Sequence, residues 1–143
     1  MLHSPPGARP LLVSLPLKVQ TYDIDFAHHV NNAVYIRWLE DLRMEVLREY
    51  CPLPGLMADG VVPILASTSI VYKKSITLFD EPLGEMWCTQ MGRATLTLHA
   101  EISLKGEVCA ASTQRGIMLH IGTTRPARIP ESLIAQYKAA IGA

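Results

Sequence analysis

Residues 22–47 read YDIDFAHHVNNAVYIRWLEDLRMEVL, and this stretch decides the fold. Its second part is an amphipathic helix. Tyr35, Trp38, Leu39, Leu42, Val46 and Leu47 recur at helical spacing and make one apolar face. Arg37, Asp41, Glu45 and Arg48 fall on the other side, and Arg37–Asp41 has the i,i+4 spacing of an ion pair. Asn31 or Asn32 stands where the N-cap belongs. Cys51-Pro52 ends the helix, because proline disfavours helical geometry in the residue before it. The first part is a polar loop that holds Asp23, Asp25, His28, His29, Asn31 and Asn32. No other stretch sets so much chemistry beside so strong a structural signal.

Outward from this corner, Leu11–Asp23 is apolar and β-branched enough for a first strand, with Pro16 at its start or on an edge. Residues 1–10 are rich in Pro and Gly and read as a flexible tail before a single domain over 11–143. On the other side, Leu53–Gly60 holds Pro54, Gly55 and Gly60 and reads as a loop. The pattern then turns to period two. Strands are expected over Val61–Ile76, Glu85–Met91, Arg93–Leu104 and Glu107–Ile121, with Lys105-Gly106 as a two-residue hairpin turn. Pro130 opens a short last helix to Ala140. One strand, a long helix and four strands in a meander make an α+β layer arrangement. A sheet of about five antiparallel strands would wrap the helix.

The chain has 143 residues, a one-domain length. Hydrophobic residues are 49% and charged ones 18%, which fits a surface partly buried in an oligomer. Net charge is zero with acids and bases mixed, against a nucleic-acid surface or a polybasic membrane patch. Cys51, Cys88 and Cys109 are odd in number and far apart, so a reducing compartment and no disulfide framework are expected. The N-terminus has no apolar run long enough for a signal peptide, and no stretch approaches the ~20 apolar residues of a membrane span. The expectation is a soluble, cytoplasmic protein.

The run Asp25-Phe26-Ala27-His28-His29-Val30-Asn31-Asn32-Ala33-Val34-Tyr35 resembles the active-site signature of the hotdog-fold thioesterases. The nearest groups are the 4-hydroxybenzoyl-CoA thioesterase-like family and the plant acyl-ACP thioesterases. The shared pattern is D-x-x-x-H-V-N-N-x-x-Y, followed by Trp38 and an acidic stretch. The likeness continues weakly through residues 69–74 and 91–95. It implies a helix inside a curled antiparallel sheet, a homodimer or homotetramer with active sites between subunits, and a thioester carbonyl at the start of the long helix. The residue matching the family's catalytic acid is Asp25, as nucleophile or general base, and His29 matches its histidine.

The chemistry suits these residues. A helix start has unpaired N–H groups and a partial positive charge, so it can hold an oxyanion without a side chain. Here Asn32 and Ala33 would supply the N–H groups. Asp25 lies on the loop that feeds the helix. Read without the resemblance, Asp25 is equally a loop acid that caps a turn, and His29 a histidine bonded to backbone. Asp23 reads as a structural or solvent-facing strand-end acid. His28 stands where many relatives have glycine. Tyr35 is a core residue or a wall of the substrate pocket, to which Met44, Leu56 and Met57 could add. Ser67 and Thr68 could position water or simply fill a strand face. Lys73, Lys74, Arg93 and Arg115 are candidates for carrier phosphates, and Arg93 is favoured by a family-like turn. Two positions depart from the plant enzymes, Ala27 where they have asparagine and Val71 where they have glutamate, which leaves Asp25 nearly alone. His28 and His29 are adjacent, and neither His99 nor His120 has an acid or cysteine at ligand spacing, so neither a metal nor a cofactor is expected. The reading is an acyl-thioester hydrolase acting on acyl-CoA or acyl-carrier-protein thioesters. The alternatives are an acyl-binding module without turnover and a hotdog dehydratase or hydratase.

Overall fold

The computed structural model describes all 143 residues. Its centre is α1, Asn32–Tyr50, which closes at Cys51 as the sequence indicates and takes Asn31, of the two candidate asparagines, as its cap. Trp38, Leu39 and Leu42 are buried to within 2% of full burial, so the apolar stripe does face the core. A six-stranded antiparallel sheet curls about it, with β1 at Leu2–His3, β2 at Val13–Pro16, β3 at Val61–Tyr72, β4 at Leu83–Met91, β5 at Thr95–Leu104 and β6 at Glu107–His120. A helix held inside an antiparallel sheet is the arrangement the resemblance implied.

Four of the local expectations need correction. The four long strands are not a simple meander: β4, β5 and β6 pair in sequence, but β3 crosses to pair with β6 and becomes the sheet edge. Leu53–Ala58 is a short helix, α2, because Pro54 falls in the first turn, where its missing N–H costs nothing. Arg37 bonds the buried carboxylate of Asp23 at 2.9 Å instead of Asp41, so Asp23 is structural and not solvent-facing. The first strand is short: Val13–Pro16 pairs with β4, and the chain then makes a tight turn at Thr21–Asp23. Residues 1–10, a tail by composition, also have partners. Leu2 and His3 pair with Met91 and Gln90, and the Arg9 guanidinium lies 4.0 Å over the Trp87 ring while bonding Glu101 at 2.6 Å.

The curl has visible causes. Ala66, Thr89 and Cys109 are each one residue extra against their partner strand, and such bulges bend a sheet and increase its twist. Gly84 lets the helix sit close. A Cβ there would lie 3.0 Å from Leu17 Cδ1 and 3.1 Å from Leu42 Cδ1. The hairpin at Lys105-Gly106 has positive φ at both positions, as its tight turn requires. The last helix, α3, Glu131–Ile141, buries Leu133 and Tyr137 against the sheet, and the Tyr137 hydroxyl donates to Thr89 O at 3.2 Å. No helix is long and apolar enough to cross a membrane.

Candidate active site

The loop before α1 is fixed by backbone. Asp23 N–H donates to Gln20 O, Asn31 N–H to Asp23 O, and Val30 N–H to Ile76 O, all within 3.0 Å. Asp25 and His29 close the small loop on each other, Asp25 N–H donating to His29 O at 2.9 Å. Within it Asp25 Oδ1 accepts from Ala27 N–H at 2.9 Å, and more weakly from His29 N–H at 3.4 Å. The second carboxylate oxygen, Oδ2, makes no bond within the chain. The side chain is thus oriented by one oxygen and free at the other. The imidazoles of His28 and His29 are exposed and unpartnered, so His29 contributes to this geometry through its backbone.

His28 has φ 64°, the left-handed region that glycine enters freely. That is the physical reason a glycine suits this position. We expect His28→Gly to leave stability within about 0.5 kcal/mol, since relief of strain offsets the added chain entropy. His28→Val should cost about 1–2 kcal/mol. Denaturant titration of the two variants checks this.

At the helix start, Asn31 Oδ1 accepts from Ala33 N–H at 2.9 Å. Of the two amides expected to hold an oxyanion, Ala33 is therefore taken by the cap. Asn32 N–H has no acceptor in the chain. Sequence reasoning missed Tyr72, whose hydroxyl donates to Asn32 O at 3.3 Å and whose ring packs edge-on against Tyr35, with centroids 5.1 Å apart. The signal was present, because Tyr72 lies in one of the weakly family-like stretches. Two exposed aromatics also flank this corner. Phe26 is 97% exposed, and Phe79, 94% exposed, sits just beyond Ile76, which bonds Val30.

The other expected residues scatter. Tyr35 is buried among Trp38 and Tyr72, and that burial pushes its hydroxyl up to about 12. Ser67 and Thr68 are exposed on the edge strand β3, Thr68 facing the helix side opposite Gln114. Arg93 belongs to the β4–β5 turn, at the end of the sheet that holds the helix C-terminus. The ten residues of β5 separate that turn from the helix start by about 30 Å. Arg93 is therefore not beside Asp25 in one chain. Lys74 pairs with Glu107 at 2.7 Å, while Lys73, next to Tyr72, is exposed and unpaired. Leu56 is buried and Met57 exposed, but Met44 lines a cavity of about 330 Å³ between α1 and the sheet. The three cysteines are free and buried, and burial pushes the Cys88 thiol up to about 12, so it is no nucleophile.

The sequence model of the thioesterase-like superfamily matches residues 19–137. Over 64 residues the chain is 30% identical to the long-chain acyl-CoA thioesterase FadM of Escherichia coli (strain K12), a match covering 45% of this chain and 48% of that one. The chain thus spans about half the length of this relative. Among solved structures, a thioesterase from Thermus thermophilus complexed with coenzyme A and zinc superposes with a TM-score of 0.78 at 26% identity, covering 94% of this chain and 96% of that chain. A DHNA-CoA thioesterase from Staphylococcus aureus shares the fold, with a TM-score of 0.78, 17% identity and 92% and 89% coverage.

Proposed function

The chain belongs to the thioesterase-like superfamily, and on that premise we propose that it hydrolyses acyl-CoA thioesters at the loop and helix start around Asp25. The observation that carries this is the Asp25 carboxylate, held by Oδ1 and free at Oδ2, on the loop that runs directly into a helix whose first amide is unpaired. The thioester carbonyl oxygen accepts from Asn32 N–H, where the helix dipole also favours negative charge. Asp25 Oδ2 then adds to the carbonyl carbon, or takes a proton from the water that adds. As the tetrahedral centre collapses, the C–S bond breaks and the thiolate leaves. By the first route water hydrolyses the acyl-aspartyl anhydride and restores the carboxylate. The relatives support a coenzyme A ester as carrier. Three buried, unpaired thiols fit a reducing compartment such as the cytoplasm.

A homo-oligomer belongs to the same proposal. β3 is a 12-residue edge strand with an unpaired outer side and several exposed apolar residues, Val71 at 57% among them. A second copy pairing along it would remove that edge. Cover from a further copy would also explain the exposed rings of Phe26 and Phe79 beside the site.

The test is free-thiol release across short, long and aromatic acyl-CoAs, followed by carrier-protein thioesters. Release with stoichiometric free acid supports hydrolysis. Binding of every ester with no release would instead mean an acyl-binding module, and loss of water from a hydroxyacyl ester without thiol would mean a hydratase.

A further inference from the structure

The inner face of β6 presents Ala110, Ser112, Gln114, Gly116 and Met118 to the helix. Two of these carry the buried side-chain polar atoms that lack a partner, Ser112 Oγ and Gln114 Nε2. An unmade bond at a buried donor is costly, so each such group asks for a reason. Ser112 lies in a seam under Tyr35 and Leu39 that leaves no room for a water. Gln114 is different: it is fully buried and lines the 330 Å³ cavity.

Its orientation follows from its one partner. Arg43 of α1 donates to Gln114 Oε1, and arginine has no acceptor, so the amide nitrogen must be the free end. Arg43 is itself half-buried, pairs with no carboxylate, and is held below the ordinary arginine pKa by that burial. The cavity therefore has one buried donor without a partner, Gln114 Nε2, beside the remaining guanidinium N–H groups of Arg43, and its one carboxylate, the exposed Glu40, forms no ion pair with that arginine. Its remaining walls, including Met44, Leu47, Leu65 and Met118, are mostly apolar. A volume above about 300 Å³ is in the range of small-molecule sites. The matching ligand is an apolar chain that carries an oxygen.

The position tells where on the chain the oxygen belongs. Asn32, Ile36, Glu40, Arg43 and Leu47 form one stripe of α1. Tyr72 of β3 meets this stripe at Asn32, and residues 62–65 of β3 meet it at the cavity. Helix and edge strand thus run side by side from the helix start to the cavity, with Ile36, Met44 and Leu65 exposed. Arg43 is eleven residues beyond Asn32, about 16 Å along the axis. At roughly 1.2 Å per bond of an extended chain, that is about a dozen bonds from the thioester.

We propose that the cavity receives the far end of a long acyl chain, and that Gln114 and Arg43 select chains bearing an oxygen acceptor there, a hydroxyl, carbonyl or carboxylate. This rests on the thioester reading for the place of the carbonyl, while the cavity chemistry stands on its own. Non-hydrolysable S-alkyl-CoA thioethers with a plain, an ω-hydroxy and an ω-carboxy C14 chain are titrated by calorimetry into the intact protein, and the matching CoA thioesters are compared by kcat/KM. The expected result is about tenfold tighter binding of the ω-oxygenated thioethers than of the plain one, from a charge-assisted or otherwise unmet buried hydrogen bond. Gln114→Leu, which keeps the volume, should bring the forms within about threefold. Arg43→Met, at a half-exposed helix site, should do the same and most strongly for the ω-carboxy thioether, with circular dichroism as the control for folding because Gln114 Oε1 loses its partner. Equal binding of all three thioethers by the wild type, or a preference unchanged in both variants, overturns the proposal. Binding of the thioethers needs no turnover. Preference without hydrolysis would sink only the thioesterase reading, and hydrolysis without preference only this one.

Discussion

Asp25→Asn is expected to lower kcat for acyl-CoA hydrolysis by about 100-fold or more while the protein keeps its fold. The asparagine amide oxygen can accept from Ala27 N–H as Asp25 Oδ1 does, so the small loop is preserved. What is lost is the carboxylate Oδ2 that, in the proposed reaction, attacks or deprotonates. Asp25→Ala should lose the same activity and also loosen the loop, since both bonds to Oδ1 disappear. The comparison separates chemistry from support: kcat falls in both, and KM rises further only in the alanine variant. Steady-state thiol release, with circular dichroism as the control for folding, checks it. Wild-type kcat in Asp25→Asn would leave Asp25 as a turn-forming acid.

The second large effect is on stability. Leu42 is fully buried at the middle of α1, with its Cδ1 against the site where Gly84 lacks a side chain. Leu42→Ala should cost about 3 kcal/mol, the sum of lost transfer energy and the cavity left behind. The melting temperature should fall by roughly 10 °C for a domain of this size. Ile36→Ala on the same helix, at a side chain 48% exposed, should change stability by no more than about 0.5 kcal/mol. Denaturant midpoints with an unchanged slope would establish both values as stability effects.

The contrast between Leu42 and Ile36 also shows what the sequence could tell. Both are apolar and both are helical, but only Leu42 recurs in phase with Trp38, Leu39 and Val46, and the period-3.6 stripe separates them before any coordinates. A cap at Asn31 or Asn32 and the Lys105-Gly106 turn were legible for the same reason, since each depends on residues adjacent in sequence. What failed depended on partners distant in sequence. Arg37 has Asp41 at the right helical spacing, yet the buried carboxylate of Asp23 holds it. Nothing local shows that β3 crosses to β6. The extra residue at Cys109 shifts the phase of β6, so alternation counted from the hairpin does not reveal that Ser112 and Gln114 face inward. Arg93 was singled out for carrier phosphates by a family-like turn, and the length of β5 sets that turn far from the helix start of its own chain.

The site was legible as a motif and not as a geometry. Asp25 and the helix start are adjacent in sequence, so their proximity could be read. That Ala33 N–H is consumed by the Asn31 cap, leaving Asn32, could not. The most direct test is therefore positional: a crystal structure of Asp25→Asn holding an uncleaved long-chain acyl-CoA. The account predicts the thioester carbonyl oxygen about 3 Å from Asn32 N, with residue 25 facing the carbonyl carbon. A well-ordered ester whose carbonyl lies away from the start of α1 would contradict it.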